Sequence, residues 1–355
     1  MPLSSRGWTL QECALAVAVL SVGRGNIRWL CPGGQYTEQG GGKLTECHSA
    51  LNQTLRAATR APTTAAEAWR EIVEDYTRRS LTYPTDKLPA IAGLVAKFEA
   101  GTPTFGPSVM RYQHIVGLWR HTLLADLMWA IEREVIPTPM SHRAPSWSWA
   151  GWDGAISWSW YRAIGNSDGF SELCSIDLHK TCISDTDRAA KAVSGKLFIS
   201  GLLVLVSLDS IKSSSLPIDS KEPFATRSDA DDFRVPCVVR DVLQGRMATR
   251  ARYRRIIAGS LDQDVTGPCW ALRLASGKTR GSEMATAFML LEETREICNL
   301  EQRRTFRRAG MVIVKYDYCD YTEPAQKVKY KSDPGQYPLQ DPIGWVGQTE
   351  YIIII

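Results

Sequence analysis

Nowhere in its 355 residues does this chain place two cysteines closer than eight apart. The nine stand at positions 13, 31, 47, 174, 182, 237, 269, 298 and 319, so no Cys-x-x-Cys pair exists to build a zinc ribbon. An odd count scattered over the whole length also argues against a disulfide framework and fits reduced, mostly buried thiols. Histidine is equally scarce. The five residues His48, His114, His121, His142 and His179 form no His-Glu-x-x-His pair, and none accompanies a Gly-x-Ser-x-Gly elbow. Cys174, His179 and Cys182 come nearest to a metal set, but a fourth ligand is missing. The expectation is a chain with no metal, no cofactor and no catalytic residue of recognised spacing.

Charge of one sign is also lacking. Lysine and arginine number 42 against 38 acidic residues, a net charge of +4 that points to no nucleic-acid partner. Two arginine groups, one of Arg246, Arg250, Arg252, Arg254 and Arg255 and one of Arg303, Arg304, Arg307 and Arg308, lack the interleaved aromatics of a base-stacking platform and read as solvated faces. Long hydrophobic runs are absent as well. The longest, Leu197 to Leu208, is broken by Ser200, Gly201 and Ser207 and falls short of the ~20 residues that span a bilayer. The first residues carry no basic segment followed by an apolar stretch, so the expected location is cytoplasmic. The glycine-rich stretch Cys31 to Gly42 reads as a flexible loop. It is not a phosphate loop, because Lys43 is followed by Leu44 and Thr37 occupies the first glycine position.

Tryptophan, by contrast, is abundant. Trp147, Trp149, Trp152, Trp158 and Trp160 fall within fourteen residues. The two-residue spacings place Trp147 with Trp149, and Ile156 with Trp158 and Trp160, on single faces of extended strands. Asp153-Gly154 between them is a turn signal, so the block predicts a hairpin with a tryptophan face. A buried indole removes roughly 150 to 250 Å² from water, enough for several such rings to nucleate a core. Two uses remain open for that face: a packed core, which requires buried rings at Trp147 and Trp149, or an exposed platform for carbohydrate or peptide.

Along the chain, Ser4 to Glu12 predicts a short helix with a serine cap, and Val17 to Val22 and Asn26 to Cys31 predict brief strands. Thr64-Ala-Ala-Glu67 is a capping box, followed by Ala65, Ala68, Trp69, Ile72, Val73 and Tyr76 at helical steps, with Glu67, Arg70, Glu71, Glu74 and Arg78 opposite. A second helix carries Ile91, Leu94, Val95 and Phe98, and a third is predicted from about Tyr112 to Arg133 on the stripe Ile115, Trp119, Leu123, Leu127 and Ile131. After Pro139 the pattern turns to strands: Lys196 to Leu208, Phe233 to Arg240, Tyr253 to Ala258, Trp270 to Leu274, Ala287 to Leu291, Met311 to Tyr318 and Tyr351 to Ile355. One helix between Glu292 and Arg308 interrupts them. The expected class is α+β, a mainly helical N-terminal region followed by a β-rich C-terminal domain. The expected boundaries are 1–50, 60–138 and 140–355.

Two blocks of residues resemble fungal heterokaryon-incompatibility (HET) domain proteins. Arg6, Gly7, Trp8, Gln11 and Glu12, followed by Trp29-Leu-Cys31, look like the closing block of the HET domain. Asp86 and Pro89 in Asp-Lys-Leu-Pro-Ala-Ile-Ala-Gly-Leu94, then Trp119, then Pro145, Trp147 and Trp149 with Asp153 and Gly154, resemble the region that follows it. The chain departs from the family at Ala18, where arginine is usual, and at Val22, where phenylalanine is usual. It also begins near the end of that domain, which makes a truncated product or a degenerate paralogue the expectation. The resemblance implies non-enzymatic self/non-self recognition with cell-death signalling through an unidentified protein partner. It also implies a distant likeness to TIR signalling domains, and an NAD hydrolase centred on Glu12 is the catalytic alternative. Oligomeric state is not written in the sequence.

Overall fold

The computed structural model describes residues 3–23, 26–31, 34–38, 62–100, 113–132, 143–165, 170–183, 194–206, 254–261, 269–278, 284–294, 303–316 and 348–355. The expected strand Phe233 to Arg240 lies outside these residues, as does most of the first arginine group. The fold is α+β. It divides into two units, Met1–Asp126 with Gly154–Ile156 and Ser184–Val193, and Leu127–Asp153 with Ser157–Ile183 and Ser194–Ile355.

In the first unit, α1 (Gly7–Leu15) is preceded by a 3-10 turn at Leu3–Ser5. Its N-cap is Arg6, with no side-chain cap, so the expected serine cap is not made. A three-stranded antiparallel sheet follows: β1 (Val19–Gly23), β2 (Asn26–Cys31) and β3 (Gly34–Thr37). The last of these corrects the loop reading at residues 34–37, since Arg28 to Cys31 pair with Thr37 to Gly34; residues 39–42 lie outside the described residues.

The long helix α2 (Pro62–Thr77) starts on its proline, a residue suited to the first turn because its missing N–H has no helical partner anyway. Thr64 therefore sits inside the helix and not at the cap. Ala65, Ala68, Trp69, Ile72, Val73 and Tyr76 are all buried, as their spacing predicts. Arg70 and Glu74, read from the sequence as solvated, are buried too. Two 3-10 turns, Pro84–Lys87 and Pro89–Ile91, lead into α3 (Ala92–Ala100), which buries Leu94 and Phe98.

The predicted third helix does not form. Residues 113–126 instead make a tight hairpin of β4 (His114–Ile115) and β5 (Leu118–Trp119), a 3-10 turn and the single turn α4 (Leu123–Asp126). Val116 and Gly117 have φ of 46° and 90°, a left-handed pair that a right-handed helix cannot contain. The every-fourth-residue stripe misleads because the residues between its members, Val116, Leu118, Leu124, Met128, Trp129 and Ala130, are buried as well.

The second unit holds β6 (Ala130–Ile131), and the tryptophan block follows. The block is not a hairpin: residues 143–148 are turns, Trp149–Gly151 is a 3-10 turn, and after β7 (Ile156–Ser157) Trp160 lies in the short helix α5 (Ser159–Gly165). Gly154 does adopt positive φ, at 131°. Short strands β8 (Ser171–Glu172), β9 (Cys174–Ile176) and β10 (Cys182–Ile183) precede the long ones, β11 (Gly195–Val206), β12 (Arg254–Leu261), β13 (Cys269–Lys278), β14 (Met284–Glu293), β15 (Thr305–Tyr316) and β16 (Gln348–Ile354). The start of β15 replaces the expected helix end at Arg308.

Pairing among the long strands closes on itself. β11 pairs with β13, β13 with β14, β14 with β15, β15 with β16, and β16 with β11. An odd ring cannot alternate direction throughout, so one neighbouring pair must be parallel, and it is β15 with β16. Among the described residues, the long strand outside this ring is β12, which pairs antiparallel with β15 alone and so keeps one edge unpaired. Residues 285–291 of β14 are buried on both faces, and α5 packs against β13.

Candidate functional site

Most of the residues singled out by the HET resemblance collect around α1 in the first unit and in the stretch Pro145 to Asp153 of the second, with Trp119 in a separate cluster of the first. In the first unit, Gly7 allows α1 to lie close against the turn after α2, because a Cβ there would stand 2.5 Å from Leu81 Cδ2 and 3.3 Å from Tyr76 Cε2. Backbone pairing fixes that approach: Gly7 N–H donates to Ser80 O at 2.8 Å, Ser80 N–H donates to Ser5 O at 2.8 Å, and Arg6 bridges Ser80 in parallel. The Trp8 indole N–H then donates to Asp86 Oδ2 at 3.0 Å, and Gln11 Oε1 accepts the Gly93 amide at 2.6 Å. Pro89 opens the 3-10 turn between those two anchor points, and the Tyr76 hydroxyl donates to Lys87 O at 2.6 Å. Glu12 is exposed on α1.

Trp119 belongs to an adjoining cluster in the same unit. Its ring meets Trp69 edge-on with centroids 5.3 Å apart and His114 at 5.3 Å, while Phe98 lies at 6.0 Å. Edge-to-face contacts of this kind satisfy the ring quadrupoles while excluding water. The Trp69 indole donates to Gly117 O at 2.9 Å, and the Gly117 amide donates to His114 Nε2 at 3.0 Å. Burial of the imidazole pushes His114 down to about 3, and its accepting Nε2 is occupied, so the ring is neutral.

Below it, Asp126 is buried and receives Arg70 Nε at 3.0 Å, Arg70 Nη2 at 2.8 Å, the Trp119 amide at 2.8 Å and the Thr122 hydroxyl at 3.1 Å. Burial pushes the Asp126 carboxyl up, and Arg70 opposes it. Four donors converging on two oxygens leave no place for a proton, so the pair is ionic.

In the second unit the stretch Arg143 to Asp153 is tied to itself. Arg143 donates through Nε to Ala150 O at 2.6 Å and through Nη2 to Asp153 at 2.8 Å. Ser148 Oγ accepts the Ala150 amide at 3.0 Å, and the Trp152 indole donates to Ser146 O at 3.2 Å. Pro145 and Trp147 press on Gly195, where a Cβ would stand 2.8 Å from the proline ring. Trp147, Trp149, Trp152, Trp158 and Trp160 are no more than 2% exposed. Rings so enclosed present no face to a sugar or peptide. The packed-core reading of the block is the one this geometry supports.

One residue that sequence reasoning assigned to a solvated face organises this core. Arg308 is fully buried; its guanidinium donates through Nη1 to Leu127 O at 2.7 Å and through Nη2 to Trp129 O, and its Cζ lies 3.4 Å over the Trp129 ring. The Trp129 indole in turn donates to Trp147 O at 3.1 Å. Arg308 N–H donates to Ser146 Oγ at 2.9 Å, and that hydroxyl donates to Ile355 O. The available signal was the alternation: Arg308 lies two residues from buried Phe306 and thus on its face of the strand, whereas Arg307 is exposed. Arg304, in the same run, is held bidentately by Glu293 and also by Glu350, and stacks 4.2 Å over Trp270.

Among the described residues no group of three or more His, Cys, Asp or Glu is placed to hold a metal ion. Cys174 lies in β9 and Cys182 in β10. Burial pushes the Cys174 and Cys269 thiols up to about 12, but among the described cysteines Cys269 alone is buried, so the expectation of mostly buried thiols does not hold for these five. Among the described residues no helix is long and apolar enough to cross a membrane.

A surface missed in the sequence lies on β1–β3. The register sets Leu20 opposite Trp29 and Trp29 opposite Tyr36, with Val22 opposite Ile27, so these five side chains share one face. All five are exposed, from 41% at Ile27 to 72% at Val22. The reverse face carries Val19, Ser21, Arg28 and Thr37. No family model matches the chain, and neither a curated protein nor a solved structure matches it.

Proposed function

We propose that this chain is a self/non-self recognition protein of the heterokaryon-incompatibility type, acting in the cytoplasm through contact with a protein partner and without catalysis. One observation carries the reading: the two sequence blocks of the resemblance, separated by some eighty residues, meet side chain to backbone and side chain to side chain, Trp8 on Asp86 and Gln11 on Gly93. Motif residues that merely shared a composition would have no reason to close on one another. The second part of the motif set, Pro145 to Asp153, serves the core of the other unit. The set therefore acts as scaffold, and recognition belongs to surfaces that the scaffold presents.

The reading is tested by expressing the chain in fungal hyphae and scoring growth and dye uptake of the compartments. Growth arrest with dye entry is the expected outcome. Undisturbed growth at demonstrated accumulation of folded protein removes the death-signalling role. Release of nicotinamide from NAD by the purified chain would replace the contact reading with a catalytic one.

A further inference from the structure

We propose that the bare apolar face of β1–β3 stacks on the same face of a second copy of this chain, making a two-fold symmetric dimer. Two rows of side chains cross the face: Leu20, Trp29 and Tyr36 in one, and Val22 and Ile27 in the other. Their exposures of 58%, 44%, 53%, 72% and 41% leave on the order of 600 Å² of contiguous apolar surface, the upper end of what a soluble monomer shows.

A three-stranded sheet draws its stability from covering such a face. Here five apolar residues point to solvent on one face, while the opposite face, open at Ser21 and Arg28, carries half-buried Val19, so the apolar side is the one patterned to be covered.

The area selects the occupant. Two of these faces stacked remove roughly 1,200 Å² from water, the lower bound of a specific stable interface. A self-complementary pairing needs nothing beyond what one face already provides, because a two-fold axis sets each row against its own equivalent. Stacked sheets stand ~10 Å apart, a separation that interdigitating Trp, Tyr, Leu and Ile side chains fill. Glu38, opposite Ile27 at one corner, is the single charged residue in register with these rows among the described residues, and a corner position keeps it at the hydrated rim. The proposal is independent of the recognition reading above, since it rests on the sheet alone.

Sedimentation velocity of the whole chain over a dilution series from micromolar to nanomolar tests it. The expected result is a reversible shift between twice the monomer mass and the monomer. Val22→Lys and Trp29→Lys, both at exposed positions, raise the dissociation constant by about 100-fold or more because each buries an unpaired charge in the contact. Circular dichroism and thermal melting confirm that each variant is folded, and Leu20→Lys stands in for any that is not. A wild-type chain that stays monomeric at every concentration overturns the proposal, as does a dimer indifferent to lysine on this face. Neither result touches the hyphal growth assay, so failure here and failure of the recognition reading are told apart.

Discussion

Arg308 shows how one side chain can decide what a motif is for. Its guanidinium caps the Leu127 and Trp129 carbonyls and covers the Trp129 ring, which in turn holds Trp147. Arg308→Met keeps the volume and removes the donors, leaving buried carbonyls without them; the expected loss is about 3 kcal/mol in urea unfolding. Arg307→Met, one residue away and therefore on the opposite, exposed face of the strand, changes stability by less than about 0.5 kcal/mol in the same measurement. At Gly7 the added methyl of Gly7→Ala meets Leu81 Cδ2 at 2.5 Å, and since that atom is the end of a flexible side chain the expected cost is about 1 to 3 kcal/mol. Thiol chemistry separates at the same scale. With Cys174 and Cys269 pushed up to about 12, iodoacetamide followed by peptide mass mapping labels exposed Cys182 well ahead of those two.

At the scale of elements, the sequence was legible where one periodicity held without competition. The stripe of α2 needed only its spacing, and β1 and β2 only their length and flanks. Residues 113–126 were misread because burial is nearly continuous there, so a helical period could be drawn through them although Val116 and Gly117 forbid it. The tryptophan block was misread for a related reason. Alternate indoles satisfy a strand pattern, but a 3-10 turn at Trp149–Gly151 buries successive rings as well as a strand would. The polar members of these elements were less legible still, since Arg70 finds Asp126 fifty-six residues away.

The His114 hairpin carries a pH dependence. The group is about 3 in the fold against 6.5 when free, so the unfolded chain takes up the proton first as pH falls. The stability of this unit is full above pH 6.5 and declines, by up to about 1.4 kcal/mol per pH unit, as pH drops toward 3. Urea midpoints across that window, compared with those of His114→Gln, check the sign: the variant loses the part of the slope that His114 supplies.

For the molecule as a whole, the α+β class and the β-rich second half could be read from alternation and turn residues, but barrel closure could not. Closure depends on which strand returns to β11, and the partner is β16, about 150 residues further along. No local pattern encodes a pairing at that separation. The face on β1–β3 was hidden for the opposite reason: each of its residues is an ordinary apolar position, and only the register of three strands makes them one surface.

The central claim is a division of labour, with the tryptophan block as internal scaffold and the β1–β3 face as the contact surface. Hydroxyl-radical footprinting of the whole chain across a dilution series tests both halves at once. Trp147, Trp149 and Trp158 are expected to stay unmodified at every concentration, while Trp29 and Tyr36 are oxidised in dilute solution and protected as concentration rises. Oxidation of Trp147 or Trp149 as rapid as that of Trp29, or a Trp29 signal that ignores concentration, would contradict that division.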